Sequence, residues 1–98
     1  MTTPVLEIAE FRLTDETPDF VAAAKAVTPW LAAQPGFRAR RLAEIEEGVW
    51  IDCVEWDDIE SAKSAADRIL ETHAAAAFMA RIDFSSLTMR HARIVISR

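Results

Sequence analysis

A chain of 98 residues has length for one core but not for two, and at 51% hydrophobic and 28% charged it is too apolar for disorder. Its net charge of −5 and pI near 4.9 speak against a protein that grips phosphate backbones, since that work needs a basic face. The lone cysteine, Cys53, excludes an internal disulfide and fits a reducing compartment. The chain also contains no Tyr and no Asn, so neither a phenol nor an Asn amide takes part in its chemistry.

Residues 4–13, PVLEIAEFRL, carry Val5, Ala9, Phe11 and Leu13 on one parity and Leu6 and Ile8 on the other. Strand side chains alternate faces, so this strand is apolar on both sides, as a central strand would be. Glu7 interrupts one face, and Glu10 with Arg12 the other. Thr17 and Pro18 are suited to open a helix as cap and first residue, with Asp19 in the first turn. Phe20, Ala24, Val27 and Leu31 form one apolar stripe along it. Pro29 is expected to kink this helix or to end its regular part near Val27.

Residues 37–47 read as a more exposed strand, and Gly48 as a hairpin turn into a third strand, residues 49–56. In that strand Val49, Ile51 and Cys53 share one face, and Trp50, Asp52, Val54 and Trp56 the other. Asp57 and Glu60 resemble a capping box. The second helix then carries a stripe of Ala62, Ala66, Ile69, His73 and Ala77, with a break expected near Thr72. Residues 81–86 read as a connector and 87–97 as the last strand.

The order is β-α-β-β-α-β. It predicts an α+β, ferredoxin-like single domain over residues 1–98, a four-stranded antiparallel sheet with two helices on one face. The first and third strands become the central pair. Helices cover only one face, so the other is expected to meet a second copy of the chain. Residues 81–98 carry a charge of +3 and the rest −8, which suits such a contact or a solvated edge.

The ionisable and aromatic residues supply the candidate site. His91, inside the last strand, and His73, on the second helix, are candidate acid/base groups, because an imidazole titrates near neutrality. Each also fits a structural role, as a strand histidine bonded to a carboxylate or as a helix-end residue. Glu7 and Asp52 are acids on central strands among apolar neighbours. Burial raises the pKa of such a group and makes a general base; the alternative is an ion pair with Arg12, Arg40, Arg90 or Arg93. Trp50 and Trp56 share a face and fit the walls of a flat pocket, or ordinary packing. The histidines lie 18 positions apart and Cys53 has no cysteine partner, so no metal is expected. No apolar run reaches 18 residues and residues 1–10 lack a basic segment, so neither a membrane span nor a signal peptide is expected, and the expected location is cytoplasmic.

This topology, with Pro35-Gly36-Phe37, Gly48-Val49-Trp50, Trp56, Ala62, Ala65, Ala66, the later Phe78, Ile82 and Asp83, and His91, resembles the antibiotic biosynthesis monooxygenase-like domains of the dimeric α/β-barrel superfamily. The likeness runs over nearly the whole chain. It implies a homodimer whose sheets close into one barrel, and activities ranging from cofactor-free oxidation of polycyclic phenols to haem degradation, isomerisation and decarboxylation. The haem-degrading branch uses an Asn on the first strand, and the quinone-forming branch Asn, Trp and Tyr; of these residue types only Trp is present here. The resulting expectation is a cofactor-free oxidation of a small, flat, aromatic or apolar substrate. Its alternatives are a non-catalytic ligand-binding or structural dimer, and an isomerase or handler of reactive carbonyls, which Glu7 or Asp52 in the cavity would favour.

Overall fold

The computed structural model describes residues 3–14 and 19–98. The elements are β1 (Val5–Leu13), α1 (Phe20–Ala32), β2 (Phe37–Glu46), β3 (Val49–Trp56), α2 (Ile59–Ile69), a 3₁₀ turn (His73–Ala75), α3 (Ala76–Ala80) and β4 (Ile82–Arg93). The strands form one antiparallel sheet in the order β2-β3-β1-β4. The two strands that read apolar on both sides are therefore the central pair. Val5 and Phe11 of β1, and Val54 and Trp56 of β3, are buried against Phe20, Ala24, Val27 and Leu31 of α1 and Ala62 and Ala65 of α2. On the helix-free face Leu6, Ile8, Ile51 and Cys53 are half-buried.

Four aromatic rings tie the layers together. Phe20 of α1 stacks on Phe78 of α3 at 5.7 Å and tilts against Trp50 of β3 at 5.0 Å. Phe11 of β1 meets Phe20 and Phe78 edge-on, at 6.1 and 6.2 Å. Edge-to-face geometry places the positive ring edge on the negative face of its neighbour.

Local structure departs from the sequence reading in four places. The expected Thr17–Pro18 helix opening lies outside the described residues. First, α1 does not end near Val27 but runs through Pro29 to Ala32. Pro29 and Lys25, one turn earlier, are both exposed, so the carbonyl that loses its partner faces water. Val27 and Leu31 hold the two halves of the helix to the core.

Second, the cap of α2 is Asp58, not Asp57: its carboxylate accepts the Ser61 N–H at 2.8 Å. Asp57 is engaged elsewhere, its side chain with Arg38 and its N–H donating to the Gly36 carbonyl at 2.8 Å. Gly36, with φ +84°, brings its Cα against Ser61, where an added Cβ would lie 2.6 Å from the Ser61 Cβ.

Third, α2 ends at Ile69 and Thr72 is extended, so the break near Thr72 occurs but His73 is not on the helix stripe. It starts the 3₁₀ turn and is exposed.

Fourth, β4 covers the expected connector and stops before residues 94–98. Arg12 pairs with Asp83 and Glu10 with Thr88, so residues 84–87 bulge opposite Phe11 alone. Serines stabilise the bulge: the Arg12 N–H donates to Ser86 Oγ at 2.8 Å, and Ser86 Oγ donates to the Asp83 carbonyl at 2.6 Å. A bulge of this kind re-aims the strand that follows it.

Candidate functional site

A cavity of about 380 Å³ lies between the sheet and the helical layer. Apolar side chains make most of its wall, among them Val27 and Leu31 from α1, Val54 and Trp56 from β3, Phe78 from α3 and Leu87 from β4. Glu7, Arg40 and Asp52 from the sheet and Asp67 from α2 are its ionisable lining residues. An apolar pocket with a few convergent polar groups is the usual form of a small-molecule site.

Glu7 and Asp52 reach this cavity because the register of β1 and β3 turns both toward the helices. Glu7 pairs with Val54, and Ala9 with Asp52. The two acids differ in their partners. Asp52 is clamped by Arg40 through Nε to Oδ1 at 3.1 Å and Nη2 to Oδ2 at 2.7 Å, with both side chains nearly inaccessible. The remaining guanidinium nitrogen, Nη1, donates to the Ala24 carbonyl at 2.7 Å and to Thr28 Oγ1 at 3.1 Å. The guanidinium carbon lies 5.4 Å from the centre of the Phe78 ring. Such a two-pronged pair holds both charges in place and leaves Asp52 a structural acid.

Among the described residues Glu7 has no arginine partner. Its Oε2 lies 3.2 Å from Nε2 of His91, its direct partner across the β1–β4 ladder. The Glu7 side chain is 12% exposed and that of His91 27%. Burial pushes the Glu7 carboxyl above its ordinary value; His91 and the Trp56 indole pull it back, and the negative charge of Asp52 adds to the rise. The Trp56 indole Nε1 is buried and makes no full hydrogen bond among the described residues, although it sits close enough to favour the Glu7 carboxylate. With no accessible surface of its own, this N–H is oriented to Glu7 rather than to the open cavity.

The sequence-derived candidates thus separate. Glu7, Asp52 and Trp56 line the cavity, and His91 stands behind Glu7. Trp50 packs on Phe20 and His73 is exposed; neither lines the cavity. Arg40 enters the sequence reading only as one of four possible counter-ions, yet its guanidinium is the centre of the polar wall. Its signal was its parity: Arg40 pairs with Val54, on the same face as Trp56. The thiol of Cys53 lies on the other side of the sheet, pushed up by burial and by Asp52. No cluster of three or more His, Cys, Asp or Glu side chains suited to a metal occurs among the described residues. No described helix is long and apolar enough to cross a membrane.

Solved structures share this architecture over almost the full chain. A structure from Bordetella bronchiseptica described as a candidate antibiotic biosynthesis monooxygenase is 16% identical with a TM-score of 0.76, covering 97% of this chain and 100% of that one. SnoaB, a cofactor-independent oxygenase from Streptomyces nogalater, is 17% identical with a TM-score of 0.71, covering 99% and 96%. A haem-degrading protein from Mycobacterium tuberculosis is 15% identical with a TM-score of 0.69, covering 100% and 98%. The chain has the antibiotic biosynthesis monooxygenase fold. No family model and no curated protein sequence matches it. At these identities the shared property is the fold, which hosts more than one chemistry.

Proposed function

We propose that this chain is a monooxygenase-like enzyme that removes a proton from a weakly acidic C–H or O–H group of a flat, largely apolar substrate, with Glu7 as base. The observation that carries the reading is the Glu7 carboxylate on the wall of a 380 Å³ apolar cavity, bonded to His91 and without an arginine partner among the described residues. A general base works best when its pKa approaches the working pH, and burial moves Glu7 in that direction. His91 acts through Glu7 as a positioning residue.

Deprotonation of a phenol whose ring system carries an activated CH₂ group, at that CH₂, gives an electron-rich anion that reacts with O₂ without a cofactor. One oxygen atom becomes the new carbonyl of the oxidised CH₂ carbon. The other leaves as water with that carbon's two hydrogens. The likeness to SnoaB, a cofactor-independent oxygenase, supports this course. We place the enzyme in the cytoplasm, where the single Cys53 would stay reduced, and as a homodimer joined through the helix-free face.

A second reading shares the first step. An isomerase would return the proton to another carbon, and the presence of both Glu7 and Asp52 in the cavity favours it. Of the two carboxylates on the sheet, the Arg40 clamp on Asp52 leaves only Glu7 without an arginine among the described residues, which weighs toward a single deprotonation. A purely structural dimer accounts for the His91–Glu7 bond but not for the cavity beside it.

Oxygen consumption with activated phenols tests the proposal. Glu7→Gln is expected to lower turnover by at least ~10²-fold, the range for a lost general base. Unchanged turnover in this variant would overturn the role of Glu7. Proton exchange into solvent without oxygen uptake would favour the isomerase.

A further inference from the structure

Seven large hydrophobic side chains are exposed among the described residues, and three of them share one place. Leu70, Phe84 and Met89, at 69%, 50% and 47% exposure, all line the cavity. They come from distant parts of the chain: Leu70 just beyond α2, Phe84 in the β4 bulge, Met89 two residues before His91. Single exposed hydrophobic residues need no explanation, but a contiguous set at a cavity mouth marks a binding surface. Half-buried Ile69, Met79 and Leu87 continue the apolar wall inward to Phe78 and Trp56.

The polar end has the opposite character. Arg40 commits its nitrogens to Asp52, Ala24 and Thr28, so it offers no free cation to an anionic ligand. Glu7, Asp52 and Asp67 would all repel a carboxylate. A neutral hydroxyl meets a carboxylate acceptor at Glu7. We infer that the ligand is an elongated amphiphile, with a neutral, weakly acidic head at Glu7 and a hydrocarbon tail lying along Ile69 and Leu87 to the rim of Leu70, Phe84 and Met89. This rests on the catalytic reading for the place of the head, and on the rim alone for the tail.

The test is binding, read from intrinsic tryptophan fluorescence, since Trp56 lines the wall. The probes are 4-alkylphenols from ethyl to nonyl, and straight-chain alkanoates of equal length, with the full chain at neutral pH. Burial of each methylene predicts ~3–4-fold tighter Kd per added carbon in the phenol series. The alkanoates are expected to bind at least ~10-fold more weakly, because their charge must be desolvated beside other carboxylates. Leu70→Ser and Phe84→Ser alter exposed side chains and leave the core intact. They are expected to weaken the nonyl compound ~10-fold while leaving the ethyl compound unchanged.

Affinity that stops rising after the shortest chains, equal losses for short and long chains, or alkanoates binding as well as phenols would overturn the inference. So would Leu70→Ser changing only the oligomeric state, since the rim would then be a subunit contact. Binding is measured without turnover, so an inactive protein with the expected chain-length series overturns the catalytic reading alone.

Discussion

Glu7 and His91 face each other across the β1–β4 ladder, with His91 Nε2 3.2 Å from the Glu7 carboxylate. Their pairing is set after a bulge that realigns β4 against β1. The pair joins the cavity to the outer strand of the sheet, and its acid favours the protonated form more than a free glutamate does.

This makes Glu7 a source of acid-favoured stability. A carboxyl whose pKa rises on folding contributes stability that is full below its unfolded value, near 4.5, and is lost as pH climbs through the raised folded value. Glu7→Gln is neutral at every pH. It is expected to melt at a higher temperature than the wild type at pH 8, with the difference closing below about pH 4.5. Thermal unfolding across pH 4–8 reads this directly, and a gap independent of pH would show that Glu7 is not buried in its charged form.

His91 lowers the Glu7 pKa by hydrogen bonding and by charge, so its removal acts in a known direction. In His91→Ala the carboxyl rises further, and the acid limb of kcat/KM against pH is expected to move to higher pH. Activity should recover at alkaline pH, because Glu7 itself is intact. His91→Gln retains an N–H donor and should restore part of the shift. A pH-independent loss in both variants would indicate that His91 contacts substrate instead.

Arg40 and Asp52 form a buried pair whose members depend on each other. Arg40→Met leaves the Asp52 carboxylate in the cavity wall without its cation and is expected to cost about 3–5 kcal/mol of stability by urea unfolding. The double variant Arg40→Met/Asp52→Leu removes both charges and is expected to recover to within ~1 kcal/mol of the wild type. A double variant no better than the single would show that the bonds to Ala24 and Thr28 carry the stabilisation.

What the sequence revealed follows the range of the interactions involved. Alternation along β1 and β3 is local, and it is enough to place both strands centrally; because both read apolar on either side, it does not select the face that Glu7 and Asp52 take. The pairing of Asp52 with one arginine out of four depended on the β2–β3 register, which alternation does not select. His91's direction depended on the bulge at residues 84–87, built by Ser85 and Ser86 bonding to Asp83. These bonds are not visible in the sequence, so residues 81–86 read as a connector and the last strand is expected to begin only at Leu87. His73 kept the helical spacing of α2, but spacing alone cannot show that the helix stops at Ile69. The Asp58 cap was displaced by one residue because Asp57 is drawn off by Arg38 and Gly36.

The helix-free face yields the remaining prediction. Leu6, Ile8 and Ile51 stand there half-buried, with Cys53 directly across from Ile8 and no helix over them. Glu10, Arg41, Glu55 and Arg90 share that face through the same pairings and supply both signs of charge around the apolar centre. Beyond β4, Val95 and Ile96 are 76% and 89% exposed. A second copy of the chain would cover this face by two-fold symmetry, each patch meeting its own equivalent. The chain is therefore expected to sediment at twice its 10.9 kDa mass at micromolar concentration. Ile8→Asp and Ile51→Asp place a carboxylate in that contact and should give a folded monomer, with far-ultraviolet circular dichroism unchanged. Because the cavity opens on the opposite side of the sheet, the monomer should still bind a short alkylphenol. Dimers that survive both substitutions would place the interface elsewhere, and a wild-type monomer would leave the exposed face without a second copy to cover it.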